Sequence, residues 1–275
     1  MTQPSPEQPP RSMSGKTALE VAVEAAILAG GIIRERFKSS KEINFKGRKD
    51  IVTDVDLAAE KAILELLREE FPDFGVLAEE STPLETASPF TWVVDPLDGT
   101  RNYAAGVPHF CTVVALSYGN KPVVGVTYDP MRDEMFTAEQ GQGAFLNGDR
   151  LEISENREVS QSLLCCDLGY VDEKAGLAID LIRSLWPDVI SIRLMGSSAL
   201  GVAYAAASRV DLYFHHSLSP WDIAAGHVLV REAGGVIVDK QGKPADLRTP
   251  SIIASNQQLV DDFLKRTDGH PWRAV

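Results

Sequence analysis

The segment Trp92-Val93-Val94-Asp95-Pro96-Leu97-Asp98-Gly99-Thr100 ends an apolar run in two like charges three residues apart. Residues 92–94 read as a strand. Pro96 fixes its own φ and holds Asp95 extended, and Gly99 admits a positive φ that turns the chain sharply. Such a loop gathers two carboxylates and the carbonyl between them around one point. Oxygens of this kind suit a hard divalent cation, and Mg²⁺ asks for few protein ligands because it keeps waters. Residues 100–102 then read as the start of a helix whose free N–H groups face the same point, a setting for an anion. Taken alone, the same residues also make an ordinary surface turn.

Two more acidic positions repeat the arrangement. The run 74–78 ends in Glu79-Glu80, of which strand alternation turns one inward, and the run 210–214 leads through a loop to Asp222, which opens an apolar helix ending at Gly234-Gly235. Singly these are a solvated pair and a first-turn aspartate. Their recurrence at three separated strand ends points to a shared cation, in a chain with 39 acidic against 27 basic residues and a net charge of −12. The same excess argues against nucleic acid as a partner.

The elements that must position these residues follow from periodicity. Thr17 and Glu20 have capping-box spacing before a helix that runs to about Phe37, and Thr53 and Asp56 have it before a second helix that Phe71-Pro72-Asp73 stops. From Phe74 come short strands within 74–146, read as sequential hairpins of an antiparallel sheet. Strands at 162–166, 190–194, 210–214, 235–238 and 251–255 then alternate with helices near 172–185, 197–208, 222–233 and 256–266. The reading is an α+β protein of stacked layers. It is a single domain over 16–275, with an N-terminal α+β lobe to about 155 and a C-terminal α/β lobe from about 156, after a polar, proline-rich tail at 1–15 read as disordered. The tail lacks the apolar core of a signal peptide, and no run is long and apolar enough to span a membrane. The three cysteines, Cys111, Cys165 and Cys166, make no disulfide framework. A reducing cytoplasm fits them, with Cys111 as a core residue.

At the three acidic segments the chain resembles the inositol monophosphatase family of Mg²⁺-dependent, lithium-sensitive sugar phosphatases. Residues 92–103 match its first signature, Trp221-Asp222-Ile223-Ala224-Ala225-Gly226 through Gly235 its second, and Ala78-Glu79-Glu80-Ser81 its shorter acidic motif. The resemblance implies an αβαβα layered sandwich, a homodimer and two to three Mg²⁺ ions. It implies that Glu79, Asp95 and the Leu97 carbonyl hold one ion, that Asp95, Asp98 and Asp222 hold a second, and that Glu79 helps a third through water. It pairs Asp56 with Thr100 to orient the attacking water, so that Glu79, Thr100 and Asp56 are the catalytic set. Asp98, Gly99, Thr100, Gly196, Ser197, Ser198, His215 and Asp222 would face the substrate.

The chemistry implied is hydrolysis of a small sugar or cyclitol phosphate by a metal-activated water. A phosphorylated aspartate of the haloacid dehalogenase kind ranks below it, because that loop spaces its aspartates by two and this one by three. Residues 194–199 follow a strand and open a helix, so their N–H groups are expected to meet substrate hydroxyls, beside the plainer reading of a Ser-capped helix start. His215 departs from the acidic residue that inositol-hydrolysing members carry there; as a neutral ring it would bond a hydroxyl, as a cation a second anion. His216 reads as structural or exposed. Fructose-1,6-bisphosphate, histidinol phosphate and nucleotide 3′-phosphates are the alternative substrates. A regulatory or binding protein that keeps the fold is the alternative class.

Overall fold

The computed structural model describes residues 9–47 and 50–274. Helix α1 (Ala18–Arg36) begins at the predicted capping box, with Thr17 and Glu20 exchanging bonds, and α2 (Asp54–Glu70) begins at the second, made by Thr53 and Asp56. Between them a short hairpin, β1 (Ile43–Phe45) and β2 (Ile51–Thr53), was not foreseen. Of the expected disordered tail, residues 1–8 lie outside the described residues. Residues 12–15 form a held turn instead: the Met13 N–H donates to the Glu70 carbonyl at 2.9 Å, and the Ser14 N–H and hydroxyl to the Glu70 carboxylate.

Seven strands make the first sheet in chain order: β3 (Gly75–Ala78), β4 (Phe90–Asp98), β5 (Cys111–Tyr118), β6 (Lys121–Asp129), β7 (Glu134–Glu139), β8 (Gly143–Leu146) and β9 (Asp149–Arg150). Helix α3 (Thr100–Ala105) lies between β4 and β5. The predicted antiparallel sheet holds from β4 onward. β3 instead runs parallel to β4, because the ten-odd residues joining them carry the chain back before it re-enters the sheet.

The second half supplies β10 (Leu163–Cys166), α4 (Asp172–Leu185), β11 (Ser191–Leu194), α5 (Ser198–Ala206), β12 (Leu212–His215), α6 (Pro220–Glu232), β13 (Val236–Val238), β14 (Ile252–Ser255), α7 (Gln257–Arg266) and α8 (Pro271–Ala274). Its five strands are ordered β11-β10-β12-β14-β13, parallel among the first three and antiparallel thereafter.

Three buried clusters separate the layers. One lies between α1–α2 and the first sheet, a second between that sheet, α5–α6 and the second sheet, and a third between the second sheet and α4, α7 and α8. Strands covered on both faces must be apolar throughout. Thus Trp92 and Val94 enter the first cluster and Val93 the second, while Cys165 and Cys166 point to opposite faces of β10 as free thiols. Each fully buried Val or Leu here contributes on the order of 1.5–3 kcal/mol.

Helix α6 belongs to the second half of the chain but packs on β4 through β8 of the first sheet. The approach is backbone to backbone: a Cβ at Gly125 would lie 2.7 Å from the Ala225 Cα and carbonyl. Asp222 is therefore seated over the first sheet.

Candidate active site

β4 does not stop at Asp95, as the Asp-Pro step suggested. It pairs on through Asp98, with a register shift between Asp95, opposite Val113, and Asp98, opposite Cys111. An extra residue in one strand bends it and re-aims its side chains. Here the bulge turns Asp95 and Asp98 to one side, and the Asp95 carboxylate accepts from the Leu97 N–H at 2.9 Å. Gly99 follows with φ +92°; any Cβ there would press on the His109 carbonyl at 3.1 Å. Asp222 arrives as the third residue of α6, its carboxylate accepting from the Ser219 N–H at 2.8 Å.

Oxygens of Asp95, Asp98 and Asp222 lie within 4.8 Å of one another. Glu79 stands at the side of this trio, close enough to share a proton with Asp95. The four carboxyls are all held above their usual range by burial, and Asp95 and Asp222 also by the charge of their neighbours in the set; Asp98 is pushed up to about 6 against the pull of the Ser197 and Ala199 donors, and Glu79 is raised against the pull of Lys46. Like charges brought out of water want protons or a cation, and a set of hard oxygens with the Leu97 carbonyl beside it fits a divalent ion.

A cation does reach the cluster: Lys46, on the β1–β2 hairpin, donates from its ammonium to Glu79 and Glu80 at 2.7 Å each. It was not singled out from sequence, and nothing in the stretch around it marks it. Glu60 is a second omission with a legible signal: it lies one turn after Asp56 on the buried face of α2, and its carboxylate accepts from the Glu80 N–H at 2.8 Å and from the Ser81 hydroxyl.

Asp56 is fixed as expected. Thr53 donates to one carboxylate oxygen through its N–H and hydroxyl, and Thr100 Oγ1 lies 3.0 Å from the other and 2.9 Å from the Leu97 carbonyl. Burial pushes Asp56 up to about 6, against the pull of those donors. The Thr100 hydroxyl has one proton for two acceptors, so its oxygen keeps a lone pair for a water.

Opposite this cluster lies the segment 194–199, and here the expectation from sequence is corrected. The Met195 and Gly196 N–H groups donate to Asp167 at 3.0 and 2.6 Å; the Ala199 N–H donates to Asp98 at 3.1 Å, and the Ser197 hydroxyl also donates to Asp98. Asn102 Nδ2 ties the same segment to the stretch before β5, donating to the Met195 carbonyl at 2.7 Å and to the His109 carbonyl at 2.8 Å. These amide donors are spent inside the protein rather than offered to substrate hydroxyls. Asp167, pushed up to about 6 by burial, was passed over in the sequence, although it closes the run 162–166 just as Asp95 closes 92–94.

His215 is 1% exposed, its ring stacked on His216 at 4.7 Å, and its Nδ1 accepts from the Ser217 N–H at 3.0 Å. Burial pulls it down to about 3, so of the two readings only the neutral ring survives. His216 is buried as well and likewise pulled down, to about 4. Together these groups line a cleft of about 660 Å³ that takes in Lys46, Glu79, Asp95, Leu97, Asp98, Gly99, Thr100, Gly196, Ser198, His215 and Asp222. Ser197 stays behind the wall, buried on Asp98. Cys111 is buried, as expected. No helix among the described residues is long and apolar enough to cross a membrane.

The model of the inositol monophosphatase family matches residues 16–269. The chain is 41% identical over 256 residues to inositol monophosphatase 3 of Solanum lycopersicum, covering 90% of this chain and 95% of that protein. It is 41% identical over 250 residues to Nus factor SuhB of Escherichia coli K12, covering 90% and 94%. Among solved structures it superposes on the extragenic suppressor protein suhB of Bartonella henselae with a TM-score of 0.87 at 36% identity, covering 91% of this chain and 98% of that one. The Thermotoga maritima IMPase gives 0.84 at 33%, covering 91% and 96%. The chain belongs to the inositol monophosphatase family, and its fold is that family's layered sandwich.

Proposed function

From that membership, we propose that the protein is a Mg²⁺-dependent phosphomonoesterase acting on a small polyol phosphate of the inositol 1-phosphate kind. The observation that carries the reading is the convergence of Asp95, Asp98 and Asp222 within 4.8 Å. Glu79, Asp95 and the Leu97 carbonyl would hold one ion, Asp95, Asp98 and Asp222 a second, and Glu79 a third through water. Bound there, divalent ions neutralise the cluster, activate water and stabilise the leaving oxygen. The chain's own residues do the rest. Asp56, fixed by Thr53, accepts the hydrogen bond of the Thr100 hydroxyl and so holds its proton away from the water. The Thr100 oxygen is then free to accept a hydrogen bond from the attacking water, and Glu79 would accept the proton that water gives up. Gly99 and Thr100 present backbone to the phosphoryl oxygens, which gain charge in the transition state. Homodimerisation, lithium inhibition and a cytoplasmic location are part of the same proposal.

Relatives named Nus factor SuhB support a second reading, a regulatory role kept alongside catalysis or in place of it. Phosphate release from inositol 1-phosphate, fructose-1,6-bisphosphate, histidinol phosphate and a nucleotide 3′-phosphate separates the two. Turnover that needs Mg²⁺ and falls with added Li⁺ is expected. No release from any ester at saturating Mg²⁺ overturns the enzymatic reading in favour of the regulatory one.

A further inference from the structure

Asp95 and Asp98 stand in β4 and Asp222 in α6, but Glu79 sits on a loop that reverses the chain. Its N–H still donates to the Val94 carbonyl at 3.2 Å, as a strand residue would. Five residues later Leu84 has already turned back onto Val76, the two exchanging N–H to carbonyl bonds of 2.9 and 2.8 Å. Thr82 and Pro83, at the reversal, are exposed. A side chain on so short a loop is placed only as well as the loop itself is held.

Lys46 and Glu60 both hold it, in different ways. Lys46 grips the Glu79 and Glu80 carboxylates, so an ion that takes Glu79 competes with it. Glu60 grips the chain instead. One of its carboxylate oxygens accepts from the Glu80 N–H at 2.8 Å and the other from the Ser81 hydroxyl, which makes no claim on the Glu79 carboxylate. Glu60 is 3% exposed and its charge adds to that of Glu80 beside it, so keeping it there costs the fold. Asp56, one turn earlier on α2, holds the Thr100 hydroxyl at 3.0 Å. Four helical residues rise about 6 Å, so one rigid stretch of helix fixes Thr100 and the turn 79–81 at a set spacing.

We propose that Glu60 is a positioning residue for Glu79, and that the start of α2 acts as a spacer between the Thr100 oxygen and the Glu79 carboxylate, the two groups that meet the attacking water. The assignment rests on the phosphatase reading for the water step, while its effect on ion binding does not depend on turnover.

The test pairs Glu60→Met, which keeps the bulk and removes both acceptors, with Glu60→Gln, which keeps an oxygen for the Glu80 N–H and an amide that the Ser81 oxygen can accept. Ser81→Ala cuts one of the two ties without entering the core. Calorimetry measures Mg²⁺ binding, and steady-state kinetics follow inositol 1-phosphate at saturating Mg²⁺. In Glu60→Met the Mg²⁺ Kd is expected to rise ~10-fold, and kcat to fall ~30-fold with KM within ~3-fold of wild type. Ser81→Ala is expected to raise Kd and lower kcat ~3-fold each, and Glu60→Gln to stay within ~3-fold of wild type in both. With Glu79→Gln in place, Glu60→Met is expected to change the Mg²⁺ affinity of the remaining Asp95, Asp98 and Asp222 set less than twofold, whereas a general loosening of the fold would weaken it further. A Kd and a kcat within twofold of wild type in Ser81→Ala, and in Glu60→Met where that variant folds, overturn the assignment. So does a further loss of affinity in the Glu79→Gln background. Wild-type protein that binds Mg²⁺ in a Glu60-dependent way but hydrolyses no ester overturns the phosphatase reading alone.

Discussion

Asp95 and Asp129 lie at the same end of the first sheet, two strands apart, each a buried aspartate near the close of an apolar strand. Asp129 is fully answered: one oxygen accepts from the Met131 and Arg132 N–H groups at 2.8 and 3.1 Å, and the other meets the Arg132 guanidinium at 2.6 Å. Asp95 receives one N–H and otherwise faces Glu79, Asp98 and Asp222. Asp167, on the second sheet, stands between them, with two amides and the Tyr213 hydroxyl but no cation. Position at a strand end is thus shared by structural and functional carboxylates. What separates them is whether the protein itself supplies the countercharge, since a buried carboxylate left without one costs the fold and is kept for what will bind it.

Asparagine substitutions sharpen that contrast, and the largest effect is expected at Asp95. Asp95→Asn should lose metal-dependent phosphate release on the order of 10³-fold or more. Its metal-free form should melt no lower than wild type, because one of several repelling charges has gone. Near wild-type turnover at saturating Mg²⁺ would break the distinction between the two aspartates.

That distinction also marks how far the sequence could be read. The choice of Glu79 over Glu80 and the pairing of Asp56 with Thr100 came from the family resemblance; the strand-end acid pattern, which is local, found Asp95, Asp98, Asp222 and the pair Glu79-Glu80. It did not separate Asp95 from Asp129, since the Arg132 partner is visible only once the turn at 130–133 is built. Asp167 obeyed the pattern and was missed. Helix and strand positions were legible from apolar periodicity, whereas the parallel β3–β4 pair and the seat of α6 over the first sheet depend on chain reversal and packing that periodicity does not encode. Lys46 gave no signal, because a lysine near a short hairpin acquires meaning only from the carboxylates it meets.

A smaller effect is expected at Lys46, the cation that partly answers Glu79. Lys46→Gln removes a competitor for that carboxylate, so calorimetric Mg²⁺ affinity should rise ~3- to 10-fold at low ionic strength and converge on wild type as salt screens the charge. Weaker Mg²⁺ binding in the variant would mean that the ammonium positions Glu79 rather than competing for it.

The smallest is expected at Asp167. Its folded pKa, about 6, lies above the unfolded value near 4, so keeping it ionised opposes folding fully above pH 6 and not at all below the unfolded value. Asp167→Asn keeps an oxygen for the Met195 and Gly196 amides and removes that cost. Its melting temperature should therefore exceed wild type at pH 7.5 by a few degrees, the gain shrinking as pH falls from 6 toward 4, with kcat/KM reduced less than ~10-fold. A loss of activity as deep as that of Asp95→Asn would place Asp167 in the reacting centre.

The contact between Gly125 and Ala225 reaches beyond packing, because it sets when the centre can exist during synthesis. A nascent chain delivers Asp56, Glu79, Asp95 and Asp98 long before Asp222, whose helix has to dock on a sheet completed some seventy residues earlier. Until that late segment leaves the ribosome the proposed ligand set stays one carboxylate short, so an ion held by the full set would bind as one of the last events of maturation.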